Sequence, residues 1–145
     1  CKIRLGHQSL LAGIKHLNRL ENVLAASEWQ DRDTPEGVLS DISGHVISGT
    51  RSNLFMLRGN ILYTPNLAHC GVAGVQRDRV MDWARQYGVT CKVAEFCMEE
   101  LLLADEIFLV NSIFGLWPVR ELAGYLRTEH TMSWKIQEWL NDERH

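Results

Sequence analysis

From Leu11 to Trp29 the apolar residues Leu11, Ile14, Leu17, Leu20, Val23, Leu24 and Ala26 recur at intervals of three and four. That is the helical period, and it predicts one amphipathic helix. The polar stretch Asp31-Arg32-Asp33-Thr34-Pro35 breaks it. Two short apolar runs follow, Gly37 to Asp41 and His45 to Ile47, separated by Ser43-Gly44, and predict a hairpin. A second hairpin is predicted from Asn53–Arg58 and Ile61–Thr64, because Gly59-Asn60 between them is a two-residue loop suited to positive φ. Leu67 to Val75 reads as a glycine-containing loop, Arg77 to Tyr87 as a helix stopped by Gly88, and Val89 to Phe96 as a strand. Met98 to Ala104 predicts a short helix, Glu106 to Val110 a buried strand, Trp117-Pro118-Val119 the start of another strand, and Met132 to Leu140 a terminal helix. Strands and helices alternate without a strict βαβ rhythm. The expected fold class is therefore mixed α+β or α/β, with a mixed sheet and packed helices rather than a doubly wound sheet.

Composition narrows the picture. The 145 residues, 46% hydrophobic and 23% charged, suffice for one ordinary core, so residues 1–145 are expected to form a single domain. A formal net charge of −3 with scattered Lys and Arg argues against a nucleic-acid partner. No run approaches the roughly 20 apolar residues of a membrane helix, and no basic-then-apolar leader opens the chain, so a cytoplasmic protein is expected. Cys1, Cys70, Cys91 and Cys97 form no CxxC pair, and the six histidines never fall at metal-ligand spacing, so no metal site is expected.

Four places carry candidate chemistry. Lys15 sits beside the apolar stripe of the first helix, with His16 and Arg19 close in sequence. An amine becomes nucleophilic near neutral pH when desolvation or nearby positive charge disfavours its protonated form; otherwise it is a solvated lysine on the polar face. Gly74 precedes a helix whose first N–H groups have no internal partner, which makes either an anion site or an ordinary loop-to-helix junction. Gly49-Thr50-Arg51-Ser52-Asn53 and Asn111-Ser112 crowd polar groups at strand ends, where sites are common and turns are too.

Taken in order, these segments resemble one family. Leu11-Ala12-Gly13-Ile14-Lys15-His16-Leu17-Asn18-Arg19-Leu20-Glu21 resembles the lysine motif of aminodeoxychorismate lyases, members of the fold-type IV pyridoxal-phosphate enzymes that include the branched-chain and D-amino acid aminotransferases. Gly49-Thr50-Arg51-Ser52-Asn53-Leu54-Phe55, Gly59 to Pro65, Gly74-Val75-Gln76-Arg77 and Ala104 to Phe108 follow in the family's order. The resemblance implies the C-terminal, cofactor-holding domain of such an enzyme, with a mixed sheet or barrel-like β core, and places the family's N-terminal domain outside this chain. It also implies pyridoxal 5'-phosphate held as a Schiff base on Lys15. The phosphate would rest on Val75 and Gln76 with help from Ser112 and Ile113, Val72 would pack near the ring, and Arg51 and Ser52 would line the pocket.

The implied reaction converts 4-amino-4-deoxychorismate to 4-aminobenzoate and pyruvate, a step toward folate, in a cytoplasmic homodimer. One departure stands out. The family usually carries a glutamate against the pyridine nitrogen where this chain has Ser48, and a hydroxyl cannot supply that charge, so the electron sink is expected to weaken. An aminotransferase of the same superfamily and a noncatalytic domain that retains the fold are the alternatives.

Overall fold

The computed structural model describes residues 4–5, 36–68 and 70–142. The amphipathic helix predicted over 11–29, and Lys15 with it, lie outside the described residues. Strands β1 (Arg4–Leu5), β2 (Val38–Asp41) and β3 (Val46–Gly49) form a small sheet, β1 parallel and β3 antiparallel to β2. The β2–β3 hairpin is the one the sequence predicts, shifted by one or two residues.

The principal sheet has five strands. β4 (Asn53–Arg58) and β5 (Ile61–Pro65) form the second predicted hairpin, and Gly59 adopts φ +61° in its turn. From β5 the chain crosses through helix α1 (Val75–Gln86) to β6 (Thr90–Ala94), which lies parallel to β5. Helix α2 (Met98–Leu102) leads to β7 (Glu106–Asn111), which returns to pair antiparallel with β4, and β8 (Gly115–Pro118) pairs antiparallel with β7. The order is β6-β5-β4-β7-β8. Of the two arrangements the resemblance allowed, this is the mixed sheet; no barrel closes among the described residues. A two-residue hairpin, β9 (Glu121–Leu122) and β10 (Tyr125–Leu126), precedes the terminal helix α3 (Thr131–Asp142).

The central strands are apolar on both faces, as burial from both sides requires. Phe55, Leu57, Leu62, Phe108, Val110 and Leu116 face α1 and α3, meeting Val80, Trp83, Ile136 and Leu140. Phe55 and Phe108, directly opposite on β4 and β7, stack with ring centroids 5.1 Å apart. Leu54, Met56, Ile107 and Leu109 face the other way, against Val46, Phe96 and Leu101.

At the start of β7, Glu106 is buried among these layers, and its carboxylate accepts hydrogen bonds from the Met132 N–H, the Ser133 N–H and the Ser133 hydroxyl, each at 3.0 Å. It satisfies the first turn of α3 from a neighbouring strand, as a capping residue would from within the helix. Arg127 does the converse for α2, donating to the carbonyls of Leu101, Leu102 and Ala104. Among the described residues, no helix is long and apolar enough to cross a membrane.

Candidate active site

Helix α1 begins two residues before the predicted position. Gly74 is extended (φ −77°, ψ 161°) and serves as the N-cap without a side chain to cap the turn, so Val75 and Gln76 supply the first free N–H groups. Val75 is 67% exposed, whereas Gln76 is buried and its carboxamide oxygen accepts from Arg79 at 3.3 Å. Arg77, in the same first turn, is also buried and donates to the Pro65 carbonyl at 3.4 Å. Burial pushes its pKa down, and Asp78, whose carboxylate lies 4.0 Å from the guanidinium, partly offsets this.

Two asparagines assemble three loops around this helix start. Asn53, the first residue of β4, donates from Nδ2 to the Val72 carbonyl at 2.6 Å and accepts the Gly74 N–H on Oδ1 at 2.9 Å. The clamp explains the glycine: a Cβ at Gly74 would lie 2.8 Å from Asn53 Oδ1. Asn111, the last residue of β7, donates to the Arg51 carbonyl at 3.0 Å and accepts the N–H groups of Ile113 and Phe114 at 2.9 and 2.8 Å. Because Asn53 pairs with Val110 across the sheet, both amides occupy the same end of adjacent strands. The loops 49–52, 72–76 and 111–114 are thereby drawn to one edge.

The structure thus gathers eight of the nine residues singled out in the sequence. Ser48 is buried near the end of β3, leading into the turn of Arg51 and Ser52. Val72 and Gly74 are held by Asn53, so Val75 and Gln76 follow directly. Ser112 and Ile113 are exposed in the turn after β7, Ile113 88% so. The Ile113 N–H is engaged with Asn111, so this turn offers a ligand the Ser112 hydroxyl and the Ile113 side chain. Lys15, the ninth, lies outside the described residues.

Sequence reading did not find Glu36. Its half-buried carboxylate accepts from the N–H of Gly37, Thr50 and Arg51 and from the hydroxyls of Thr50 and Ser52. These partners in the turn lie 14 to 16 residues downstream, and no local motif announces such a contact. Asn53 and Asn111 did carry a signal, each being an amide at the end of an otherwise apolar strand.

The residues present suit a phosphorylated cofactor. A helix start with no side-chain cap and an exposed first residue leaves backbone N–H groups of the kind that receive an anion. The model of the family described as amino-transferase class IV matches residues 1–122. The chain belongs to this class IV aminotransferase family.

Among its relatives is the aminodeoxychorismate lyase of Vibrio harveyi, 42% identical over 119 residues, which cover 82% of this chain and 44% of that protein. The branched-chain-amino-acid aminotransferase of Escherichia coli K12 is 30% identical over 107 residues, 74% of this chain and 35% of that one. The crystal structure of 4-amino-4-deoxychorismate lyase from Pseudomonas aeruginosa superposes with a TM-score of 0.95 at 44% identity, over 99% of this chain and 53% of that one. The chain spans about half the length of these lyases. The fold class expected from the sequence, that of the fold-type IV enzymes, is confirmed by this superposition.

Proposed function

We propose that this chain is the cofactor-holding part of a pyridoxal-phosphate lyase that converts 4-amino-4-deoxychorismate to 4-aminobenzoate and pyruvate, in folate synthesis in the cytoplasm. The observation that carries the proposal is the junction of three loops at the start of α1, on a fold whose similarity to a lyase reaches 44% identity. The protein is proposed to act as a homodimer on this small-molecule substrate.

The backbone N–H groups of Val75 and Gln76 would donate to the cofactor phosphate at the positive end of α1, and the Ser112 hydroxyl would add a third donor beside Ile113. Val72, fixed through its carbonyl by Asn53, would pack against the ring. Arg51 and Ser52 would line the same pocket from the adjacent turn. The Lys15 amine would anchor the cofactor and, once released by substrate, carry the proton taken from the carbon bearing the substrate amine. When bound, the cofactor supplies the electron sink for the charge left on that carbon. Ser48 is neutral, so a serine opposite the ring nitrogen would hold a proton there less firmly than a glutamate, and a slow lyase is expected.

The test is direct. The protein incubated with pyridoxal phosphate is expected to gain visible absorbance that Lys15→Ala abolishes, and to release 4-aminobenzoate and pyruvate from 4-amino-4-deoxychorismate. Absence of both signals would overturn the proposal. Conversion of a branched-chain amino acid and a 2-oxo acid without lyase products would favour the second reading, an aminotransferase, which the 30% identity over 74% of the chain supports. Ser48→Glu is expected to raise turnover; an unchanged rate would remove Ser48 as its cause.

A further inference from the structure

Glu36 belongs to neither the sheet nor the residues the family resemblance assigns, yet its carboxylate receives five hydrogen bonds. Oε1 accepts from the Gly37 N–H at 3.0 Å, the Thr50 N–H at 2.8 Å and the Thr50 hydroxyl. Oε2 accepts from the Arg51 N–H and the Ser52 hydroxyl, both at 3.0 Å. Gly49 closes over it, since a Cβ there would meet Glu36 Cδ and Oε2 at 3.0 Å. An ionised carboxylate has only acceptor sites, about four across its two oxygens, and this turn presents only donors to them.

The turn so gripped is the hub of the ligand end. Arg51 offers its carbonyl to Asn111, which organises the 111–114 turn. Ser52 leads into Asn53, which clamps Val72 and Gly74 ahead of α1. A shift of the 50–52 backbone is therefore passed to both other loops.

We infer that Glu36 is a positioning residue for the cofactor. By holding Thr50, Arg51 and Ser52 on one carboxylate, it sets the spacing between the Arg51–Ser52 wall, the 72–76 loop and the 111–114 turn. The inference rests on the proposed cofactor site and adds to it a residue that touches no ligand itself. Glutamine is isosteric but puts an NH2 where one oxygen receives two donors, so Glu36→Gln breaks the grip while preserving the volume.

In the full chain, amide exchange at Thr50 and Arg51 and titration with pyridoxal phosphate together test this. Glu36→Gln is expected to speed exchange at both amides about tenfold and to weaken cofactor binding by about tenfold, as loss of a charge-assisted hydrogen bond predicts. Thr50→Val, which deletes one hydroxyl donor, is expected to weaken binding about threefold in the parent. It is expected to have no further effect in the Glu36→Gln background. Unchanged cofactor affinity in Glu36→Gln overturns the inference, even if exchange quickens, because Glu36 would then be a fold contact only. Should Glu36→Gln fail to fold, Thr50→Val decides: parental affinity overturns the inference and weakened affinity supports it. A parent chain that gains no Lys15-dependent absorbance overturns the cofactor reading itself and this role with it, whereas a parent that binds and a variant that binds equally well sink the inference alone.

Discussion

Strand β7 ends in two polar side chains that act in opposite directions. At its beginning Glu106 turns inward, is 2% exposed, and spends its carboxylate on the first turn of α3. At its end Asn111 stands by an exposed turn and spends its amide on the backbone of Arg51, Ile113 and Phe114. Both satisfy backbone donors, but one holds a helix against the core and the other holds loops that remain open to solvent. A polar group at the buried end serves stability, and a polar group at the open end would, on the function proposed above, serve the placement of a ligand. The lesson extends across the sheet to Asn53, which is buried like Glu106 yet clamps a loop like Asn111.

Substitution can separate these roles. The largest stability loss is expected from Glu106→Ala, about 3 kcal/mol for three charge-assisted hydrogen bonds and the lost helix cap, read as a lower urea midpoint. Asn53→Ala should come next, at about 1–2 kcal/mol for its two hydrogen bonds. It should also weaken pyridoxal phosphate about tenfold in the same titration. If it left binding intact, the assignment of the open end to ligand placement would break. Gly74→Ala should cost less stability, about 1 kcal/mol for displacing the Asn53 amide, while still lowering cofactor affinity, since it enters the clamp at the helix start. The smallest effect is kinetic. Burial raises the pKa of Cys91 in β6, so less thiolate exists at any pH below that value and alkylation at pH 8 should be slow in the parent. Glu106→Ala should accelerate that alkylation by loosening the core, and Asn111→Ala should not.

Much of the scaffold was legible in the sequence. Gly59-Asn60 announced its hairpin because the turn needs a left-handed residue, and β7 announced itself as an unbroken apolar run. The β9–β10 hairpin was missed because its turn is Ala123-Gly124, with Ala123 at φ +51°, a conformation alanine rarely adopts, flanked by strands of only two residues. β8 was expected to begin at Trp117, but it begins at Gly115, whose φ of +76° ends the preceding turn. The start of helix α1 at Val75 carried no capping signal, because glycine and not a serine or aspartate precedes it. That early start moves Val75 from loop to helix end. The polar anchors escaped for a different reason. Glu36 and Glu106 act on partners 14 to 27 residues away, and periodicity carries no information about such pairs.

The apolar pattern of β4 and β7 has one more consequence. Leu54 through Leu57 and Ile107 through Val110 are buried on both faces, so sliding one strand past the other by a residue would still set hydrocarbon against hydrocarbon. Polarity inside the sheet cannot reject that misalignment. Its ends can: a single step would carry the carboxylate of Glu106 away from α3 and the amide of Asn111 away from Arg51. These two side chains act as locating pins, one at each end of the same strand, and select one alignment where greasy contacts alone would accept several.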